Sequence, residues 1–181
     1  MGAQVAAVHR SSEHTFTKTR VDEIELVAGL GVVGDAHLGA QVKHRSRVRA
    51  DPTQPNLRQV HLIPTELFTH VAAQGFEVGA GELGENITTT GIDLVSLPVG
   101  TVLRIGDNAL VAITGLRNPC GQINGLREGL LEAVRERDDD GTITRRLAGV
   151  MGVVVHGGAI RPGDTIETAL PPEPHRALER V

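Results

Sequence analysis

The chain has 181 residues, 40% apolar, 22% charged and only 2% aromatic, with 18 basic against 22 acidic side chains and a formal net charge of −4. That length suits one domain, and that composition an ordinary globular chain with a core of Val, Leu, Ile and Ala. A general nucleic-acid binder carries a basic excess and stacking aromatics, which this chain lacks. The 22 Gly and nine Pro imply frequent turns and disfavour a helical bundle. One cysteine, Cys120, cannot close an intramolecular disulfide, so a reducing cytoplasm is the expected compartment. No run approaches the ~18 apolar residues of a membrane span, and no basic stretch leads an apolar one at the N-terminus, so neither a span nor a signal peptide is expected.

Residues 5–8 and 24–27 read as short strands. Gly29-Leu30-Gly31-Val32-Val33-Gly34 matches G-x-G-x-x-G, but a dinucleotide site needs a helix opening at its last glycine. Asp35-Ala36-His37-Leu38 and a basic, proline-bearing stretch follow instead, and no βαβ unit fits. Residues 40–59, with Pro52 and Pro55, are expected to form a long loop. Its run Lys43-His44-Arg45-Ser46-Arg47-Val48-Arg49, with Arg58 nearby, is either a solvated surface or a rim that attracts a multiply charged anion.

Pro64 suits the first turn of a helix over 64–74 that stops at Gly75. Residues 101–105 and 109–114 read as a hairpin around Gly106-Asp107-Asn108. A second helix is expected over 126–137, with Leu126, Leu130, Leu131 and Val134 on one apolar face. Asp138-Asp139-Asp140-Gly141 reads as an acidic surface turn, because Leu147 stands where a calcium loop in that register needs its bidentate carboxylate. Residues 150–156 form a nearly continuous apolar strand expected at the centre of a sheet, 160–168 a turn and closing strand, and 171–181 a loosely held tail. Many short strands with closely spaced turns point to a barrel or sandwich.

Cys120 is the most informative single residue. It lies in Arg117-Asn118-Pro119-Cys120-Gly121, between a strand and the expected second helix. A cation and a helix start both favour the thiolate, the nucleophilic and metal-binding form, and Gly121 leaves room beside the sulfur. The alternative is a buried cysteine acting as a small hydrophobe. Eight histidines raise the question of a metal, yet no H-E-x-x-H occurs and one cysteine cannot build a structural zinc site.

Five segments, in order, resemble the MOSC domain, named for the C-terminal domain of molybdenum cofactor sulfurases. They are Gly34-Asp35-Ala36-His37, Arg58-Gln59-Val60-His61-Leu62, Gly84-Glu85-Asn86-Ile87-Thr88, the 91–100 stretch with Arg104-Ile105-Gly106, and Arg117-Asn118-Pro119-Cys120. The resemblance implies one domain over 1–170 with residues 171–181 as a tail. It also implies a mainly β fold, a closed β-barrel resembling the pyruvate kinase β-barrel domain with a few peripheral helices.

The same resemblance implies molybdenum cofactor (molybdopterin) chemistry. Cys120 would ligate molybdenum or carry sulfur as a persulfide, and some relatives reduce N-hydroxylated compounds. The expected cofactor-binding set is Lys18, Arg58 and Arg117 as cations, with Asn86, Thr88 and Asn118 as neutral hydrogen-bonding groups. His37 and His61 would shuttle protons, completing a catalytic set with Cys120. The implied partners are molybdopterin or a small anionic ligand, and an electron-donor protein or a cysteine desulfurase, with neither nucleic acid nor membrane. A sulfur carrier without turnover and an anion-binding module with a structural cysteine are the alternatives.

Overall fold

In the computed structural model, which describes residues 2–43, 45–119 and 121–181, β1 (Gln4–Arg10) is followed by β2 (Thr19–Val21), β3 (Ile24–Val27) and β4 (Gly31–Val32). Helix α1 (Arg45–Ala50), β5 (Val60–Pro64), α2 (Thr65–Ala72) and β6 (Ile87–Thr90) come next. The expected hairpin is β7 (Val102–Ile105) and β8 (Ala109–Leu116), with Ile105 opposite Ala109. β8 buries every second residue, as a strand with one face on a core does.

Two short helices, α3 (Ile123–Leu126) and α4 (Leu130–Ala133), lead into the hairpin β9 (Arg135–Arg137) and β10 (Ile143–Arg146). The chain finishes with β11 (Val150–His156), β12 (Gly158–Ile160) and β13 (Ile166–Ala169). Among the described residues, no helix is long and apolar enough to cross a membrane.

The sheets correct the expected architecture. The largest runs β13-β7-β8-β11-β5-β6-β1-β2, with β5 and β6 parallel and every other pair antiparallel. It is open and mixed, not a closed barrel. Its two ends meet only near the bridge Gln4↔Thr165, where Val5 donates to the Asp164 carbonyl and Ile166 to that of Ala3. A single bridge is not a ladder: β13 pairs along its length with β7 alone, and β1 gives its outer edge to β2. A three-stranded sheet, β12-β3-β4, and the β9-β10 pair stand apart.

Two apolar clusters share β5. Leu62 joins Val8, Leu26, Val111 and Val154 between the large and the three-stranded sheets, whereas Ile63 joins Leu67, Val71, Leu130 and Val134 under the helices. All five residues of β5 are therefore buried, and each large aliphatic there contributes roughly 1.5–3 kcal/mol. Gln59 ties the two sheets together by donating to the Gly29 carbonyl and accepting from the Val154 amide. α2 falls inside the expected 64–74 window, with Leu67 and Val71 facing inward.

The expected helix over 126–137 is broken. Arg127 turns to extended backbone and ends α3, Gly129 at φ +85° then starts α4, and Arg135–Arg137 are captured by β10. Leu130 and Val134 remain buried, so the apolar spacing marked a core face and not a continuous helix. Within the 40–59 segment, expected as loop throughout, α1 forms. The 171–181 segment is not loose: Leu178 packs in the first cluster, Leu116 donates to the Glu179 carbonyl, and Val181 donates back to Leu116.

Candidate functional site

A cleft of about 420 Å³ is lined by the segment between β1 and β2, the β4–α1 loop, β5, the approach to β6 and the end of β8. Its inner wall is organised by Asp35. The Asp35 carboxylate accepts from Lys18 Nζ at 2.6 Å and Asn86 Nδ2 at 2.9 Å on one oxygen, and from the His37 amide at 3.0 Å on the other. His37 Nδ1 lies 3.2 Å from that second oxygen. The Lys18 and Asp35 side chains are 5% and 1% exposed, so this is a buried ion pair. Burial alone would raise the Asp35 pKa, but hydrogen bonds from His37 and Lys18 outweigh it and hold the carboxyl well below its usual range. Burial lowers the Lys18 pKa, with Asp35 and Glu85 opposing that shift.

Asn86 is spent on this wall. Its amide donates to Asp35 and to the His9 carbonyl, and its oxygen accepts from the His61 backbone. His61 Nε2 lies 2.9 Å from the Ala148 carbonyl, which can only accept, so that nitrogen carries the proton. Burial first, and Arg117 second, push the His61 pKa far down, so the ring is neutral. The close approach behind it depends on Gly149 at φ +85°, where a Cβ would sit 2.2 Å from the Leu62 carbonyl oxygen. The Gly149 carbonyl also accepts from the Arg117 amide, which anchors the start of the cysteine-bearing segment.

The outer wall is cationic. Arg117 lies 5.6 Å over the Phe16 ring, a cation–π contact. Arg58 donates to the Val181 oxygen, and Arg47 enters from α1. His14 packs against His37 with ring centroids 5.1 Å apart. Among the described residues, four cations (Lys18, Arg47, Arg58 and Arg117) and three histidines line the cleft, and no carboxylate does. Asp35 neutralises Lys18 from behind the wall, so the three arginines supply the positive field, in a chain of net charge −4.

Of the residues named from sequence, Lys18, His37, Arg58, His61, Asn86, Arg117 and Asn118 line this one cleft. Thr88 does not: it is fully buried and its hydroxyl donates to Glu85. Cys120 and His44 lie outside the described residues, although Asn118 and Gln122, two positions to either side of Cys120, both line the cleft. Sequence reasoning missed Asp35 as the hub, though it sits in a quoted motif directly after the turn glycine Gly34. Phe16 and Gln122 carried no comparable signal. Among the described residues no group of three or more His, Cys, Asp or Glu could hold a metal ion.

The fold has solved counterparts. The YuaD protein from Bacillus subtilis superposes with a TM-score of 0.74 at 22% identity, covering 93% of this chain and 96% of that one. YiiM from Escherichia coli gives 0.62 at 19% identity over 97% and 73% of the two chains. YiiM from Geobacillus stearothermophilus gives 0.60 at 18% over 93% and 75%. No curated protein matches the sequence. The MOSC domain model matches residues 47–167, two thirds of the chain. With that match, and with four of the five quoted segments lining one cleft, the chain belongs to the MOSC domain family.

Proposed function

We propose that the cleft binds the molybdenum cofactor, a phosphate-bearing pterin dithiolene, and that Cys120 supplies the thiolate that ligates molybdenum or delivers sulfur to it. The observation that carries this reading is a concave lining that, beyond the neutralised Lys18–Asp35 pair, presents three arginines and no lining carboxylate among the described residues. Such a donor set suits a ligand with a phosphate and oxo groups, and about 420 Å³ lies within the range of small-molecule sites. When bound, the cofactor would supply a two-electron centre suited to reducing N-hydroxylated compounds, with electrons from an external donor protein.

The chain's own residues divide the remaining work. Arg58 and Arg117 hold the anionic end through charge-assisted hydrogen bonds, and Asn118 and Gln122 offer neutral donors and acceptors to a heteroaromatic ring. Lys18 adds positive field from within the wall while Asp35 fixes its position. Asp35 also orients His37, leaving Nε2 as the nitrogen that exchanges a proton with bound substrate. His61, neutral and committed to Ala148, shapes the wall.

The test is metal and pterin analysis of protein purified from a cofactor-competent host. Stoichiometric molybdenum and pterin in the wild type, lost in Arg117→Ala, is the expected result. Sulfane sulfur without molybdenum would make the protein a sulfur carrier, and neither would remove the cofactor reading.

A further inference from the structure

A second concave surface adjoins the first. A pocket of about 530 Å³ is lined by Arg47, Asn118, Arg146 and Arg180, together with Leu116 and the 178–181 segment. Arg47 and Asn118 line the main cleft as well, so the two adjoin at these side chains.

The arginines here differ from their neighbours. On the same hairpin, Arg135 and Arg137 pair with Glu132, and Arg145 pairs with Asp93 and Glu136. Among the described residues, no carboxylate lies within ion-pair distance of Arg47, Arg146 or Arg180. Glu179 lines the pocket too, but it is exposed and in no such pair. Partial burial lowers the Arg146 pKa, and repulsion from Arg180, Arg135 and Arg137 adds to it. Like charges crowded in a concavity, with Glu179 in no ion pair with them, raise the free energy of the empty site, and a bound anion relieves that repulsion.

We propose that Arg47, Arg146 and Arg180 form a second phosphate subsite adjoining the main cleft, which takes a further phosphate of a ligand whose first phosphate is held in that cleft. This rests on reading the main cleft as an anion site. A concave pocket that shares two lining residues with that cleft suits an extension of one ligand, whereas a docking face for an acidic protein would be flat or protruding. The fixed spacing of the two subsites converts the second contact into an intramolecular one, which raises affinity without new chemistry.

The probes are inorganic phosphate and hexane-1,6-bisphosphate, titrated calorimetrically into the full chain at low ionic strength. The wild type is expected to bind two phosphate equivalents and to hold the bisphosphate at least ~10-fold more tightly than phosphate. Arg146→Ala combined with Arg180→Ala should leave one equivalent and abolish the bisphosphate advantage, while Arg117→Ala should remove the other equivalent. If Arg146→Ala fails to fold, Arg180→Glu at an exposed position carries the same test. A single phosphate equivalent in the wild type, lost in Arg117→Ala, overturns the second subsite and leaves the first. Loss of the outer equivalent alone with no effect of Arg117→Ala overturns the reading of the main cleft instead. If the outer variants weaken only the binding of poly-glutamate and leave bisphosphate unchanged, the patch is a protein-docking surface and the subsite is overturned.

Discussion

The two walls of the cleft use charge in opposite ways. On the inner wall the Lys18 ammonium is buried against Asp35, whose remaining lone pairs are taken by Asn86 and His37. On the outer rim Arg47, with Arg146 and Arg180 beyond it, has no carboxylate within ion-pair distance among the described residues. A compensated buried charge fixes geometry and costs much to disturb, because its partner would be stranded in low dielectric. An uncompensated rim charge costs the fold little and is available to a ligand. The difference teaches where stability and affinity separate in this molecule: inner-wall changes should unfold it, and rim changes should only weaken binding.

The largest effect is expected inside. Asp35→Ala strands the Lys18 ammonium and removes the acceptor for Asn86 and His37, so it should cost about 3–5 kcal/mol in urea unfolding. A loss below about 1 kcal/mol would mean the wall relaxes or hydrates easily, and the contrast between walls would collapse.

Between the walls stands Arg117, anchored at its backbone by Gly149 and placed over Phe16. Arg117→Ala should weaken phosphate binding about 10- to 100-fold, the scale of a charge-assisted hydrogen bond of ~1.5–3 kcal/mol, while shifting the melting temperature little. An equal fall in stability would move Arg117 to the inner, structural class.

The pH response sharpens the inner side further. Burial first, then Arg20 and Lys18, lowers the His9 pKa from 6.5 to about 4, and His61 is lowered as well. Across that window the unfolded chain binds more protons than the folded one, so stability falls as pH drops from 6.5 toward 4, by up to about 1.4 kcal/mol per pH unit for each such histidine. Asp35 acts in the same direction at lower pH, because its depressed pKa makes its contribution present above the usual carboxylate range and lost as it protonates. His9→Gln should flatten the slope between pH 6.5 and 4 in denaturation curves, and an unchanged slope would assign it to other groups.

The smallest effect belongs to the rim. Arg47→Ala should reduce anion affinity only a few-fold at low salt and leave it unchanged near 1 M salt, where the screening length falls to ~3 Å. Equal losses at both salts would indicate a direct, desolvated contact and place Arg47 with the inner residues.

Much of this was legible before any coordinates. Local chemistry determined the elements whose signals are local: the hairpin around Gly106-Asp107-Asn108, the helix begun beyond Pro64, and the apolar strand at 150–156. Of the seven residues named from sequence that line the cleft, six lie in the quoted MOSC motifs, and Lys18 lies outside them. The spacing at Leu130 and Val134 announced burial, but not that Arg127 would leave the helix, Gly129 would start a new one and β10 would take Arg135–Arg137. Whether the sheet closes depended on how far β13 and β1 could pair, and they meet only at one bridge with its flanking backbone bonds. Asp35 became the hub only because Lys18 and Asn86 approach it from two other segments, 17 and 51 positions away. The 171–181 tail was held by Leu178 and by backbone bonds to Leu116 that no composition announces. Periodicity and turn residues report on the chain's neighbours in sequence, whereas closure, charge pairing and tail docking are decided by partners far along it, which only the tertiary structure brings together.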